Sequence, residues 1–259
     1  GDALPLYTAT LLSRESLVSI TNSADDTTLR AKLFTDKVTQ LDTFGVAFRM
    51  GIDRGIVRSG SSGTVVATFT CSTHTIETPI VTSLNSAATI RCAVLASSNG
   101  CCELVCSTGV CFTVTAPTRF EMVGLRLRGG GALTSLGAAV TITGSLLTQH
   151  VVLSMLHFSS HTARGLVLRN IPSATITQST FEQCSINGGK NGGALLLEST
   201  DTTMTGCTFR SNYALTGSGG AIAVRSGSSL TTRLLKCDDN GAASGGCIDA
   251  STDEWSAMN

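Results

Sequence analysis

Long apolar runs, charged residues and helix-forming residues are all scarce in this chain of 259 residues. No apolar run approaches the ~18–20 residues that a membrane-spanning helix requires, so the sequence predicts no membrane span. Charged residues make up only 14% and their charges cancel, which argues against nucleic acid or an anionic membrane as a partner. Ser, Thr and Gly are abundant, whereas Glu, Lys and Gln are few. This balance favours β structure with polar outward faces.

The N-terminal stretch GDALPLYTATLLS lacks the basic start and apolar core of a signal peptide. The sequence therefore predicts no signal peptide in this stretch. It does not decide whether this N-terminus was produced by cleavage of a longer precursor.

Four segments in the C-terminal half repeat one pattern, beginning at residues 151, 174, 201 and 229. Aligned, they give three columns, and the glycine column recurs at spacings of 28, 27 and 26 residues. Repeats of about 20–50 residues indicate stacked units, each unable to bury its apolar face alone. The columns are Phe158, Phe181, Phe209 and Cys237; Gly165, Gly193, Gly220 and Gly246; and His161, Cys184, Asn212 and Asn240.

Short runs within each repeat alternate apolar and polar residues, as in ATITQSTF and GGAIAVRS. Alternation predicts strands with one buried face, and the Gly, Asn, Ser and Asp between them tolerate the positive φ of sharp bends. Two or three strands in about 25 residues leave no room for crossover helices. Each strand is therefore expected to pair in parallel with its counterpart one repeat later. The sequence predicts an all-β protein, a parallel β-helix (β-solenoid) of about eight turns over residues 62–259.

Residues 1–61 differ from the repeats and are predicted to form an N-terminal cap or lead-in. The segment DDTTLRAKLFTDKVTQL, residues 25–41, places apolar residues on one side of a helical wheel and begins with two aspartates. This pattern predicts an amphipathic helix that shields the first turn. An irregular lead-in that contains strands is the alternative.

The ten cysteines indicate disulfides in an oxidising compartment, because their number is even and they lack the paired CxxC motifs of zinc sites. Cys71 and Cys92 lie one turn of the repeat apart and are expected to pair. Cys237 and Cys247 lie on two strands of one turn and are expected to cross it. Several buried free thiols are the alternative. All ten are disulfide candidates: Cys71, Cys92, Cys101, Cys102, Cys106, Cys111, Cys184, Cys207, Cys237 and Cys247.

The stretch FTVTAPTRFEMVGLRLRGG, followed by GCTFRSN and GGAIAV, resembles the right-handed parallel β-helix of the pectin-lyase-like superfamily. The closest likeness is to secreted and cell-surface repeats with GGA[ILV] and FxxN motifs, as in chlamydial polymorphic outer membrane proteins. Here the motifs are GGAL at 192–195, GGAI at 219–222 and FRSN at 209–212. Two cysteines depart from the pattern: Cys184 replaces the Asn, and Cys237 replaces the Phe. The resemblance implies a right-handed fold over residues 62–250, and this fold hosts lyases, hydrolases, adhesins and spacers.

Asp238 and Asp239, with Lys236 beside them, are the candidate catalytic residues, because polysaccharide enzymes on this fold use clustered carboxylates. The sequence CDDN resembles a turn more than a catalytic site, so the chain is expected not to be an enzyme. His157 and His161 share the i, i+4 spacing of a helical zinc pair. In a strand and turn that spacing does not place both rings on one face, so neither a metal nor a cofactor is predicted.

The stretch CIDASTDEWSAMN after Gly246 contains no amphipathic capping helix. We expect this end either to dock onto another copy of the chain or to continue in a longer one. The leading expectation is an extracellular or cell-surface structural rod that binds itself end to end and forms a filament. A polysaccharide lyase or hydrolase, and an adhesin for cell-surface glycans, are the alternatives. Outward Ser and Thr are candidates for O-glycosylation.

Overall fold

A computed structural model describes residues 9–12, 17–22, 65–69, 73–76, 80–83, 87–92, 102–129 and 138–250. These residues are all-β, as predicted, and none of them belongs to a helix that is long and apolar enough to cross a membrane. The strands, in chain order, are β1 (Ala9–Leu12), β2 (Leu17–Asn22), β3 (Val65–Phe69), β4 (Thr73–Ile76), β5 (Ile80–Ser83), β6 (Ala87–Cys92), β7 (Cys102–Cys106), β8 (Phe112–Thr115), β9 (Arg119–Val123), β10 (Leu125–Gly129), β11 (Ala138–Thr143), β12 (His150–Ser154), β13 (His157–Ser159), β14 (Arg164–Thr177), β15 (Thr180–Glu182), β16 (Ser185–Ile186), β17 (Leu195–Thr205), β18 (Thr208–Arg210), β19 (Tyr213–Ser218), β20 (Ile222–Arg225), β21 (Ser229–Arg233), β22 (Lys236–Asp238), β23 (Gly241–Ser244) and β24 (Ile248–Asp249).

The strands form three parallel sheets around one core, here called walls. Successive strands along the chain belong to the first, second and third wall in turn. The first wall contains β3, β6, β9, β12, the second halves of β14 and β17, and β21. The second wall is the seven-stranded sheet β4-β7-β10-β13-β15-β18-β22. The third wall contains β5, β8, β11, the first halves of β14 and β17, β20 and β24. All pairs within a wall are parallel, so the fold is the predicted β-solenoid. A small sheet, β16-β19-β23, joins the second and third walls in the last turns.

The number of turns differs from the prediction. From Cys102 onwards, successive strands of the second wall begin at Cys102, Leu125, His157, Thr180, Thr208 and Lys236, which makes about five turns. About eight were predicted for residues 62–259, and several stretches of that range lie outside the described residues.

An antiparallel hairpin precedes the first turn. Strand β1 pairs with β2, and β2 pairs with β3 in the register Val18↔Phe69, so the hairpin covers the edge of the first wall. The lead-in thus contains strands, as in the alternative given above, whereas the amphipathic helix predicted at residues 25–41 lies outside the described residues. Covering an edge strand blocks unwanted pairing at that end of the sheet.

Alternation along the strands fills the core. Strand β7 alternates between buried and half-buried residues, and Leu104 at its centre is fully buried. Five phenylalanines, including Phe112 and Phe120, are among the largest fully buried side chains. Threonine and charged residues stand at many of the intervening outward positions, as period-two alternation requires.

Bends with positive φ recur at the same places in successive turns. One bend lies three residues before the Phe column and another lies two residues after it. Because unrelated residue types adopt the same φ there, the geometry of the solenoid imposes the bend. The bend residues are Met155, Gln178, Gly206 and Leu234 before the column, and Ser160, Gln183, Ser211 and Asp239 after it.

The two glycines of each Gly-Gly pair serve different purposes. Gly192 and Gly219 have φ of +72° and +69°, a conformation that other residues adopt at a cost. Their neighbours Gly193 and Gly220 have ordinary φ, but a Cβ on Gly193 would overlap the carbonyl oxygen of Gly220 in the next turn. The first glycine of each pair thus allows a bend, and the second allows close contact with the next turn. The sequence predicted the bend but not the contact.

Candidate functional site

The Phe column forms a stack of rings at the second wall. Phe158, Phe181 and Phe209 are register partners on β13, β15 and β18 and are fully buried. Their ring centroids lie 4.8 and 4.6 Å apart, with interplanar angles of 9° and 2°. Cys237 on β22 continues the column beside Phe209. The stack ends at this position because a disulfide replaces the next ring.

A ladder of side-chain amides runs beside the Phe stack. The Nδ2 group of Asn212 donates to the carbonyl oxygen of Phe181 at 3.0 Å, and Oδ1 of Asn212 accepts from the amide of Cys184 at 3.0 Å. Asn240 repeats the first of these contacts, since its Nδ2 donates to the carbonyl oxygen of Phe209 at 3.0 Å. Each Asn thus satisfies backbone groups at the bend of the preceding turn, where no strand pairing can do so.

His161 occupies the ladder position two turns before Asn212. Its Nε2 lies 2.9 Å from the carbonyl oxygen of Leu127, which makes Nε2 the protonated nitrogen. Nδ1 is buried without a hydrogen-bond partner. Burial lowers the pKa of His161 to about 4, so the ring is neutral at pH 7. The ring therefore acts as a substitute for an Asn side-chain donor.

The structure contains three disulfides among the described residues: Cys92–Cys102, Cys106–Cys111 and Cys237–Cys247. The last is the one that the sequence predicted across a single turn. The prediction that Cys71 pairs with Cys92 is wrong, because Cys92 bonds to Cys102, the first residue of the next wall. Cys71 and Cys101 lie outside the described residues.

Cys184 and Cys207 are buried free thiols, so their assignment as disulfide candidates is wrong. They lie in successive turns at different places in the repeat, Cys184 in the Asn column and Cys207 ahead of the Phe column. Burial raises the pKa of the Cys184 thiol to about 12 and also raises the pKa of Cys207. Both are therefore apolar core residues rather than reactive groups. The alternative of several buried free thiols holds for these two.

The outward face of the second wall carries a row of opposite charges. Nε of Arg128 lies 3.2 Å from Glu103, and Glu182 lies 3.5 Å from Nε2 of His157 and 4.0 Å from Arg210. Burial and the nearby Arg126 lower the pKa of His157. These pairs are partly exposed, so each contributes little to stability.

The carboxylates of Asp238 and Asp239 face different partners. They are adjacent in sequence, but Asp238 faces Arg210 at 3.9 Å while Asp239 stands at a bend with φ of 50°. Oδ2 of Asp239 accepts hydrogen bonds from Ser211 Oγ and Tyr213 OH, both at 3.0 Å. This carboxylate therefore joins two turns, in agreement with the turn interpretation of CDDN. Lys236 is exposed one strand position away from Cys237.

The described residues contain no group of three or more His, Cys, Asp or Glu side chains arranged to hold a metal ion. His157 faces outward next to Glu182, whereas His161 lies in the core. Their i, i+4 spacing therefore separates the two rings rather than bringing them together.

Each strand of the last described turn has a neighbour on one side only within the described residues. Within the described residues, β21 pairs only with β17, β22 with β18, β23 with β19 and β24 with β20. The disulfide Cys237–Cys247 and an ion pair between Arg225 and Asp249 hold this turn in place. No strand of the part of the chain that the structure describes pairs with the far side of this turn.

A pair of exposed leucines was not predicted from the sequence. Leu146 and Leu147 are exposed by 106% and 64%, at the tip of a turn between the third and first walls. The signal was present as two adjacent leucines in a short polar segment, GSLLTQ. Recognising it requires the register of the neighbouring turns, which the sequence alone does not give.

Comparison of this chain with family models, with curated proteins and with solved structures found no match in any of the three. The resemblance to the pectin-lyase-like superfamily therefore stays a prediction that rests on the motifs quoted above.

Proposed function

We propose that this chain is an extracellular structural rod that joins further copies of itself end to end. The observation that carries the proposal is the edge of the last turn, where four strands on three sides of the core each lack a second partner among the described residues. The unpaired side of a strand is a template for pairing with another chain.

The last turn is held in place by bonds within the chain. Asn240 bonds to the carbonyl oxygen of Phe209, and the disulfide Cys237–Cys247 ties the second wall to the third. A preorganised edge lowers the entropy cost of association. At the other end, β4 and β5 each pair on one side only within the described residues, while the hairpin covers β3. A contact between two different ends gives an open filament when its rotation does not close a ring.

The cysteines support a location outside the cell. Three disulfides lie within the described residues, and disulfides of this density form in oxidising compartments. Carbohydrate chemistry has less support, because Asp239 is engaged by Ser211 and Tyr213 and Asp238 faces Arg210. We therefore prefer the structural rod to an enzyme on the same fold.

A single proline tests this assignment. The amide of Gly241 donates to the carbonyl oxygen of Asn212, which directly precedes the neighbouring strand β19, so by alternation the amide of Ala242 points away from β19. Ala242→Pro removes that donor without removing a bond inside the protein. Ala242→Ser is the matched control, since it keeps the amide.

Sedimentation velocity over a concentration series measures the outcome. The wild type and Ala242→Ser are expected to form species that grow with concentration, and Ala242→Pro to associate at least about tenfold more weakly. Equal distributions for all three proteins would show that this edge is not the contact.

A further inference from the structure

The three disulfides among the described residues differ in their access to solvent. The four cysteines of two disulfides are at most 1% exposed: Cys92, Cys102, Cys106 and Cys111. In the third disulfide, Cys237 is exposed and Cys247 is partly buried. A thiolate reduces a disulfide by direct attack on a sulfur atom, so access decides which bond reacts. A small thiol can therefore reach Cys237–Cys247 while the other two disulfides are closed to it.

The exposure of Cys237 follows from its place in the last turn. Cys237 continues the column of Phe209, which is fully buried and has described strands on both sides of it. Within the described residues, the strand that carries Cys237 has a neighbour on one side only. The sulfur atoms thus lie at the same open side of the last turn that the proposed assembly uses.

The disulfide holds a short segment that protects the preceding turn. The carbonyl oxygens of Ser244, Gly245 and Cys247 accept hydrogen bonds from the four consecutive amides of residues 219–222, at 2.8–3.1 Å. Among the described residues, Cys237–Cys247 is the only covalent link between β22 and β24 apart from the chain between them. It closes a loop whose ends are ten residues apart and so restricts the freedom of that loop.

The noncovalent contacts of this segment are few. Strand β24 pairs with β20 at two positions only. Arg225 forms an ion pair with the Asp249 carboxylate and donates to the Asp249 carbonyl oxygen at 3.1 Å. Ile248 and Ala250 are only partly buried, so their apolar burial contributes less than that of a core residue. The position of residues 244–250 therefore depends strongly on the disulfide.

We propose that Cys237–Cys247 is a redox switch, which a dithiol reduces and which releases residues 244–250 from the preceding turn. One thiolate of the dithiol attacks the exposed sulfur of Cys237, and Cys247 leaves as a thiolate that takes up a proton. The second thiol of the dithiol then attacks the sulfur bound to Cys237. Cys237 leaves as a thiol and the dithiol becomes a disulfide. Two electrons and two protons pass to the protein, and a disulfide of the same class reverses the reaction.

The effect of the switch on assembly rests on the function proposed above, whereas the release of the segment does not. Reduction removes the preorganisation of the last turn, so copies of the reduced chain should associate more weakly. The coupling is reciprocal, because a second copy that binds the oxidised form more tightly stabilises the disulfide by the same factor. Assembly and reduction therefore oppose each other.

Mild treatment of the full-length native chain with dithiothreitol, followed by iodoacetamide and peptide mapping, tests the selectivity. We expect labels first at Cys237 and Cys247, while the two buried disulfides stay intact. Hydrogen exchange then tests the release. The amides of residues 219–222 should exchange at least about tenfold faster in the reduced protein. The amides of Ala194 and Leu195, which bond to Ala221 in the same way one turn earlier, are the internal control and should not change.

The double variant Cys237→Ser/Cys247→Ser should exchange like the reduced wild type and should not respond to the dithiol. Equal labelling rates for all three disulfides would overturn the proposal, and so would unchanged exchange at residues 219–222 after reduction.

Sedimentation velocity of the oxidised and reduced proteins separates the switch from assembly. Faster exchange without association of either form supports the switch and contradicts the proposed assembly. Association that weakens on reduction by about tenfold or more supports both. Equal association of the two forms would overturn the control of assembly by this disulfide.

Discussion

Asn212 and Asn240 are joined by two hydrogen bonds to a single oxygen. The backbone amide and the Nδ2 group of Asn212 both donate to Oδ1 of Asn240, at 3.0 and 2.9 Å. The side chain of each Asn thus performs, at the bend, the pairing that backbone groups perform within the walls. Asn212 is fully buried, so these bonds are made away from water.

Replacing Asn212 with Ala should lower the free energy of unfolding by about 3 kcal/mol, because the buried amide of Cys184 and the carbonyl oxygen of Phe181 both lose a hydrogen-bond partner. Asn240→Ala should cost less, since Asn240 lies in the last turn and is partly exposed. Urea denaturation of both variants checks the order. Equal losses would show that the ladder does not depend on burial.

Removing the central ring of the stack should be costly. Phe181 lies between two rings, and Phe181→Ala should lower the free energy of unfolding by about 3–5 kcal/mol. Phe181→Leu should cost less, because the equivalent position two turns earlier is already occupied by Leu127. Thermal unfolding compares the two, and a similar loss for both would mean that ring stacking, rather than volume, dominates.

The glycine columns can be tested for space and for φ separately. Gly193→Ala should prevent folding or expel the next turn, because its Cβ would overlap the carbonyl oxygen of Gly220. Gly188→Ala has nothing within 4 Å of the added Cβ but a φ of +77°. It should therefore cost only about 1 kcal/mol. Circular dichroism and urea unfolding distinguish them, and a well-folded Gly193→Ala protein would contradict this account of the column.

Acid should weaken the fold through His161. Burial lowers its pKa to about 4 in the folded protein, from 6.5 for an unperturbed histidine. Below pH 6.5 the unfolded chain binds the proton more readily, so stability falls as the pH falls and the loss is complete below about pH 4. The whole effect is about 3 kcal/mol, and His157 acts in the same direction because its pKa is also lowered.

His161→Asn places in this turn the residue that stands at the same position in later turns. The variant should keep the hydrogen bond to Leu127 and lose part of the stability change between pH 6.5 and 4. The free energy of unfolding, measured by urea at several pH values, gives the difference between the two proteins. Parallel pH profiles would mean that His161 does not contribute.

The repeating features of the fold were readable from the sequence because each turn repeats the same physical requirement. Phe158, Phe181 and Phe209 recur because a ring must fill the same space, and Gly193 and Gly220 recur because the next turn leaves no room for a Cβ. Features that occur once were not readable in this way. The Cys92–Cys102 disulfide depends on which wall each cysteine faces, and the Leu146–Leu147 turn depends on a register that only the folded chain defines.

The candidate catalytic residues illustrate the same limit. A sequence shows that Asp238 and Asp239 are adjacent, but not that a bend at Asp239 turns the second carboxylate towards Ser211 and Tyr213. At Asp239 φ is 50°, and its carboxylate accepts hydrogen bonds from Ser211 and Tyr213. That conformation is imposed by the stacked turns, in which Ser160, Gln183 and Ser211 bend in the same way.

Negative-stain electron microscopy of the native protein, with a size-exclusion trace of the same sample, tests most directly whether the chain is a rod that assembles end to end. We expect regular fibres whose axial repeat equals the length of one molecule, and a size-exclusion profile that shifts to larger species with concentration. Discrete single rods at tens of micromolar, with a profile that does not change with concentration, would contradict the proposed assembly.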